Sequence, residues 1–206
     1  MSAPKQLPEL INATSYELYK NRVLDLAKLG ITSGIEPTEE RIEATKINAQ
    51  RMKRIDKYAE VIPSIDRLLG NLKRPWKWIV LSEAWCGDSA QCLPFIAKIA
   101  SLSEHIQMQV VMRDENPELM NMYLTKGSRS IPKLICLDTL TGTELGVWGP
   151  RPKGIQERVD EYKSQNPDVT HEVFVVNLHL WYALDKGESL QAQFETILAE
   201  WINMKI

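Results

Sequence analysis

The sequence predicts an α/β fold: a central mixed β-sheet flanked by helices, with additional helices at the N- and C-termini. Two observations carry this. Between Trp76 and Gln165 the segments follow the order strand, helix, strand, helix, strand, strand, helix, and both flanks keep their apolar residues at helical spacing. An order of this kind buries a sheet between layers of helices. No internal repeat or low-complexity linker interrupts the 206 residues. One extended domain is therefore expected, read as an N-terminal helical extension over 1–63, a core over 64–165, and a C-terminal helical extension over 166–206 packed on that core.

The first helix is expected from Tyr16 to Leu29, carrying Leu18, Val23, Leu24 and Leu26, with Gly30 as its stop. Thr38 is placed to cap a long second helix that opens on Glu39 and Glu40. Its expected apolar positions are Ala44, Ile47, Met52, Ile55, Tyr58, Ala59 and Ile62, up to a break at Pro63, after which SIDRLLGNL makes a shorter helix. From Trp76 the period changes: WKWIVL is aromatic and branched, as a buried strand requires. A helix follows over about Asp88–Leu102, then the strand IQMQVVM, then a helix over NPELMNMYLTK with Pro117 near its first turn. Pro132 leads into the strand KLICLD, which returns through the turn residues Asp138, Thr141 and Gly142 as TGTELGVWG. The helix PKGIQERVDEYKSQ closes the core. Two more, THEVFVVNLHLWYALDKG and ESLQAQFETILAEWI, meet at Gly187, and their aromatics Phe174, Trp181, Phe194 and Trp201 are expected to pack on the sheet domain.

Composition narrows the function. Apolar content of 44%, charged content of 25%, a net charge of -2 and a pI near 6.0 describe an ordinary globular chain and argue against a nucleic-acid partner. The basic residues Lys46, Arg51, Lys53, Arg54 and Lys57 have acids and Gln between them and read as a solvated helix face. No run is long and apolar enough for a bilayer, so no membrane partner is expected, and MSAPKQLPELINATSYELYK lacks the pattern of a signal peptide. His105, His171 and His179 show no metal-ligand spacing. No metal or other cofactor is called for. Three cysteines, Cys86, Cys92 and Cys136, are too few and too odd in number for a disulfide framework; a cytoplasmic setting with at least one thiol kept for chemistry is expected.

Cys86 falls between the end of a strand and the start of a helix, in EAWCGDSAQCLPF. Free N–H groups and the helix dipole there favour a thiolate, which is the nucleophilic form. Gly87 permits the tight turn and Trp85 supplies a flat apolar wall. Cys92 lies six residues on, a rise of about 9 Å along a helix, whereas a disulfide needs Cα atoms within about 7 Å. A Cys86–Cys92 bond would require the first turns to unwind. Packing is the leading role for Cys92 and resolution of Cys86 the minor one; Cys136, alternating with apolar neighbours, reads as core.

Trp85-Cys86-Gly87 at a strand-to-helix junction, Pro94 within the following helix, and Arg129-Ser130-Ile131-Pro132 further on together resemble thioredoxin. Asn116-Pro117 and Trp148-Gly149 also fall where that family has a helix-opening Asn-Pro and a late-strand glycine. The resemblance spans about Ser64 to Gln165 and implies a thioredoxin-like fold, a nucleophilic role for Cys86, and a cis-proline at Pro132 lying against the sulfur. WCGD with helical additions at both ends, including WYALDKG, resembles a bacterial branch of thioredoxin-like proteins. The departures are as informative. The resolving cysteine is replaced by Ser89, giving a monothiol-type CGDS site; the family's buried acid falls on Val80 and its lysine on Val110; and Asp88 stands in place of a proline, its charge opposing thiolate formation.

Two readings follow. In the first, a thiol-disulfide oxidoreductase of cell redox homeostasis attacks a protein or low-molecular-weight disulfide through Cys86, and a small thiol or a thiol reductase resolves the mixed disulfide. Trp85, Ile131 and Pro132 would form the docking surface, with Gly87, Asp88 and Ser89 around the sulfur. In the second, the chain is a redox-inactive binding module, since the fold does not fix function. A glutaredoxin-like, glutathione-dependent protein ranks below both, because Trp85 precedes the cysteine and no glycine pair followed by an aspartate lies after the Pro132 strand.

Overall fold

The computed structural model describes residues 6–205. Within them the chain forms α1 (Tyr16–Leu29), α2 (Glu39–Tyr58), α3 (Pro63–Leu69), β1 (Trp76–Ser82), α4 (Gly87–Ser101), β2 (Ile106–Met112), α5 (Pro117–Met122), β3 (Lys133–Asp138), β4 (Glu144–Trp148), α6 (Lys153–Gln165), α7 (His171–Asp185) and α8 (Glu188–Ile202). The sheet order is β2-β1-β3-β4; β1 runs parallel to β2 and antiparallel to β3, and β3 is antiparallel to β4. This is the mixed sheet expected of an α/β thioredoxin-like fold, with extra helices before and after it.

Strand β1 is buried throughout except at Lys77, because it lies inside the sheet with both faces covered. Alternation sends Trp76, Trp78 and Val80 to one side and Ile79 and Leu81 to the other. The first side carries the larger core, closed by α1, α2, α4, α6 and α8; the second is closed by α5 and by Leu7, Leu10 and Ala13. Val80 stands in register with Val110 of β2, so the two apolar replacements of the expected acid and lysine are neighbours. Thr14 pairs with the outer edge of β2 at Val110, through backbone bonds of 3.0 and 2.8 Å.

The aromatics of α8 complete the first face. Trp201 meets Trp76 and Trp78 edge-on at 6.2 and 6.4 Å between centroids, and Phe194 meets Trp78 and Trp148 at 6.0 and 5.3 Å. Gly146 of β4 leaves the space that the Trp201 indole occupies, where any Cβ would collide with its ring. Trp181 of α7 instead packs on Tyr162 of α6 at 5.3 Å.

Several local expectations are corrected. Helix α2 ends at Tyr58, and Pro63 opens α3 at its first turn rather than cutting a helix already in progress. Ile47 and Tyr58 are exposed while Thr45 and Asn48 are buried, because those two polar side chains are satisfied: Thr45 Oγ1 donates to the Arg41 carbonyl and Asn48 Nδ2 to the Ala84 carbonyl. Helix α5 stops at Met122, short of Lys126. Asn116 does not cap α5 with its side chain; it grips the backbone of Ile11 with its carbonyl and amide groups, at 2.8 and 3.1 Å, and so ties the N-terminal segment to the second face.

Removing the Trp201 ring leaves a void against two other tryptophans, Trp76 and Trp78. Trp201→Ala is expected to cost about 3–5 kcal/mol in urea unfolding, whereas Leu184→Ala, on the exposed side of α7, is expected to change stability by less than about 0.5 kcal/mol.

Candidate functional site

Cys86 is the N-cap of α4, and its sulfur accepts from the Ser89 N–H at 3.4 Å. On its other side the thiol donates to the Ile131 carbonyl at 3.4 Å, a bond that only the protonated form makes. Ile131–Pro132 is a cis peptide. Gly149, at φ +114, backs this loop, and a Cβ there would run into the Pro132 carbonyl oxygen. Lys133, buried and pushed down in pKa by that burial, donates to Thr125 Oγ1 at 2.5 Å and to the Gly149 carbonyl at 3.3 Å, holding the loop from beneath. The structure thus brings Cys86, Gly87, Ser89, Ile131 and Pro132 together.

The sulfur is covered, with Cys86 only 8% exposed. Burial pushes the thiol up to about 11 and the Asp88 charge adds to this; the Ser89 N–H and the Arg151 guanidinium pull against it. In sequence the helix N-terminus and the Asp88 charge oppose each other; desolvation, which only the fold shows, sets the direction upward. Ser89 Oγ is buried and has no hydrogen-bond partner in this resting geometry, which leaves a donor in reserve for a thiolate.

Asp88 is buried and ion-paired. Arg151, in the loop between β4 and α6, clasps it with Nε to Oδ1 at 2.8 Å and Nη2 to Oδ2 at 2.6 Å, and the Tyr182 hydroxyl of α7 donates to Oδ1 at 2.7 Å. Burial pulls against the Arg151 charge, but the Asp88 contact outweighs it and the guanidinium pKa is raised. A bidentate pair of this kind is the strong form of charge-assisted hydrogen bond.

Trp85 lies between two guanidinium groups, with Arg41 at 4.5 Å and Arg113 at 4.9 Å from its ring. Beside it Glu83 is fully buried and its carboxyl is pushed up by that burial, against the downward pull of Ser33 and the Asp114 N–H. Ser33 Oγ donates to the Glu83 carboxylate and accepts from the Ala84 N–H, stitching the loop before α2 to the chain that leads into Cys86.

Two further residues reach the same helix end from outside the core. His179 of α7 lies over Gly87, where a Cβ would come within 2.5 Å of its Cε1. Burial, with the charges of Arg51 and Arg151, lowers the His179 pKa to about 4 in spite of Asp88, so the ring is neutral. Arg51 of α2 is the second, with Nη1 at 3.8 Å from the same Cβ position. Arg51, Arg151, His179 and Tyr182 were not singled out as site residues from sequence. Arg51, expected on a solvated helix face, is half-buried here, and the other three are brought to Cys86 only by the fold.

Cys92 lies within the unbroken helix α4, fully buried, its thiol pKa raised well above the usual range by burial, and its sulfur is 3.8 Å from the Tyr182 hydroxyl. It lines a cavity of about 240 Å³ between α2, α4 and the α7–α8 turn, away from the Ile131 loop. Cys136 faces Trp78 across the β1–β3 pair, also fully buried. All three cysteines are free thiols. Among the described residues no three or more His, Cys, Asp or Glu gather into a metal site, and no helix is long and apolar enough to cross a membrane.

The contact of His179 with Gly87 has a direct test. Gly87→Ala is expected to destabilise the fold by about 1–3 kcal/mol through overpacking, and His179→Ala in the same chain to recover most of that loss. Strict additivity of the two changes in a double-mutant cycle would show that the ring does not occupy the space over Gly87.

A sequence profile of the family described as Thioredoxin matches residues 34–163, which is more than half of the chain. No curated protein matches it in sequence. Among solved structures, a protein of unknown function from Pseudomonas aeruginosa is 16% identical, with a TM-score of 0.54 over 91% of this chain and 96% of that one. A second structure, an HIV epitope-scaffold, is 13% identical with a TM-score of 0.49, covering 92% of this chain and 96% of that one. The likeness to the Pseudomonas protein is one of fold and extends past residues 34–163 into the terminal helices. On the strength of the profile match and the sheet topology, the chain belongs to the thioredoxin-like family.

Proposed function

We propose that the protein is a thiol-disulfide oxidoreductase that works through one nucleophilic cysteine, Cys86, and a mixed disulfide. The observation that carries this reading is the placement of the Cys86 sulfur: 3.4 Å from the Ser89 N–H at the start of α4 and 3.4 Å from the carbonyl that precedes the cis-proline. Ionisation breaks the bond to Ile131, frees that backbone carbonyl for an incoming chain, and turns the sulfur towards the donors of Ser89. The thiolate then attacks a disulfide R–S–S–R′, forming Cys86–S–S–R and expelling R′S⁻. A second thiolate, R″S⁻, attacks the R sulfur, releases R–S–S–R″ and returns Cys86 as the thiolate. Ser89 offers no sulfur for an internal resolution, and Cys92 is held in the helix, so the resolving thiol comes from outside. In this reading Cys86 is the nucleophile, Trp85, Ile131 and Pro132 form the surface near it, and a cytoplasmic location is the setting in which such a thiol stays reduced.

The binding-module reading has its own support in the cover over the sulfur and in its raised pKa. The two are separated by the pH dependence of Cys86 alkylation in the folded protein, read site by site by mass spectrometry. For an oxidoreductase the rate is expected to climb about tenfold per pH unit and to level off near 11, the value to which burial and Asp88 push the thiol. Asp88→Asn is expected to move the profile to lower pH, since it removes a negative charge and leaves Arg151 uncompensated. Cys86→Ser should abolish disulfide exchange at every pH. Labelling of Cys86 only after denaturation would leave the binding module as the function.

A further inference from the structure

Arg51 is a partly buried cation for which the site described so far has no use. Its Nη1 donates to Asn48 Oδ1 at 2.8 Å, and no carboxylate among the described residues pairs with it. Burial and the neighbouring charge of Arg54 push its guanidinium down to about 10. The other arginines near Cys86 are committed: Arg151 to Asp88, Arg113 to Asp114 at 2.8 Å, and Arg41 to the Glu36 carbonyl and the face of Trp85. A partly desolvated charge with no counterion is costly to keep, and an anion arriving from solution would repay that cost.

The geometry around Arg51 suits such an anion. Its Nη1 lies 3.8 Å from the position of a Cβ on Gly87, the first residue of α4, and His179 Nε2 is 2.7 Å from the same point. The Gln91 amide nitrogen donates to His179 Nδ1 at 3.2 Å, so the proton of the neutral ring sits on Nε2 and offers a second donor there. Ser89 Oγ, buried and without a partner, is a third polar group at the same helix end. The first N–H groups of α4 and its dipole add positive potential. The cover over the sulfur sets the size of the visitor: with α7 lying across Gly87 and Cys86 8% exposed, a small molecule reaches the sulfur more readily than a folded protein surface does.

Resting on the reading of Cys86 as the nucleophile, we propose that its exchange partner is a small thiol or disulfide bearing a carboxylate, which Arg51 and the Nε2–H of His179 seat at the N-terminus of α4. The carboxylate stays ionised and is not consumed. The bonds made and broken are those of the exchange already described, with R carrying the anion.

The test compares two small disulfides of opposite design with the folded protein at one pH: the dianionic dithiobis(nitrobenzoate) and the neutral dithiodipyridine, in a chain in which Cys92 and Cys136 are alanine. Arg51→Gln is expected to slow the reaction with the anionic probe about tenfold, as loss of a charge-assisted contact would, and to leave the neutral probe within about twofold of the parent. Arg51→Lys should recover most of the loss. Equal slowing of both probes would overturn the inference by showing that Arg51 acts on the sulfur or the fold, and so would an unchanged rate with the anion. Either of those leaves Cys86 a nucleophile. If the parent reacts with neither probe until denatured, the oxidoreductase reading fails, and the inference fails with it.

Discussion

A carboxylate buried two residues beyond the candidate nucleophile has to be neutralised, and much of the site is arranged around that requirement. Asp88 replaces the proline that a thioredoxin carries, and it is held by Arg151 from the β4–α6 loop and by Tyr182 from α7. One charge thereby fastens three separate parts of the chain: the start of α4, the loop that follows the cis-proline hairpin, and a helix from beyond the family core. It also sets the field at Cys86, where the negative charge and burial raise the thiol while Arg151 and the Ser89 N–H oppose them. Removing only one partner of such a buried pair leaves an uncompensated charge, which is why the clasp is expected to hold in the resting state.

Local patterns made the fold readable. Each strand is a short apolar run, and three of the long helices open on a Ser or Thr whose side chain accepts from the third helical residue, at Ser15, Thr38 and Thr170. The Trp85–Ser89 segment and the Ile131–Pro132 peptide were likewise visible as residue types in order, and the structure places Ile131 against the sulfur. What was not visible is tied to sequence distance and to burial. Arg151, His179 and Tyr182 lie far along the chain from Cys86 and look locally like a loop residue and the mixed face of a helix. The apolar stripe of α2 was misread at Ile47 and Tyr58 because Thr45 and Asn48 take the inward positions, and hydropathy alone cannot show that a polar side chain will find its partner inside. The direction of the Cys86 pKa was open for the same reason: the helix N-terminus and Asp88 are local features that oppose each other, and the desolvation that decides between them is a global one.

The helices outside the core supply chemistry as well as cover. At the N-terminal end of α4, α2 brings Arg51 and Asn48, α7 brings His179 and Tyr182, and the loop before α2 brings Ser33 to Glu83. Glu83 and Asp88 show two ways of keeping an acid inside. Asp88 is paired with a guanidinium, while Glu83 is met by hydrogen-bond donors and its carboxyl is pushed towards the neutral form.

The seating of Trp201 and Phe194 against Trp76, Trp78 and Trp148 bears on how the chain reaches this structure. Strand β1 is made early and α8 late, so during synthesis from the N-terminus the part of this face that α8 covers stays open until most of the chain has emerged. Contacts that far apart in sequence raise the contact order and slow the search for the native state. In that interval three tryptophans present a broad apolar surface to the surroundings, the condition under which nascent chains aggregate or call on chaperones. The aromatic lock that stabilises the finished protein is thus also its period of greatest exposure while it is being made.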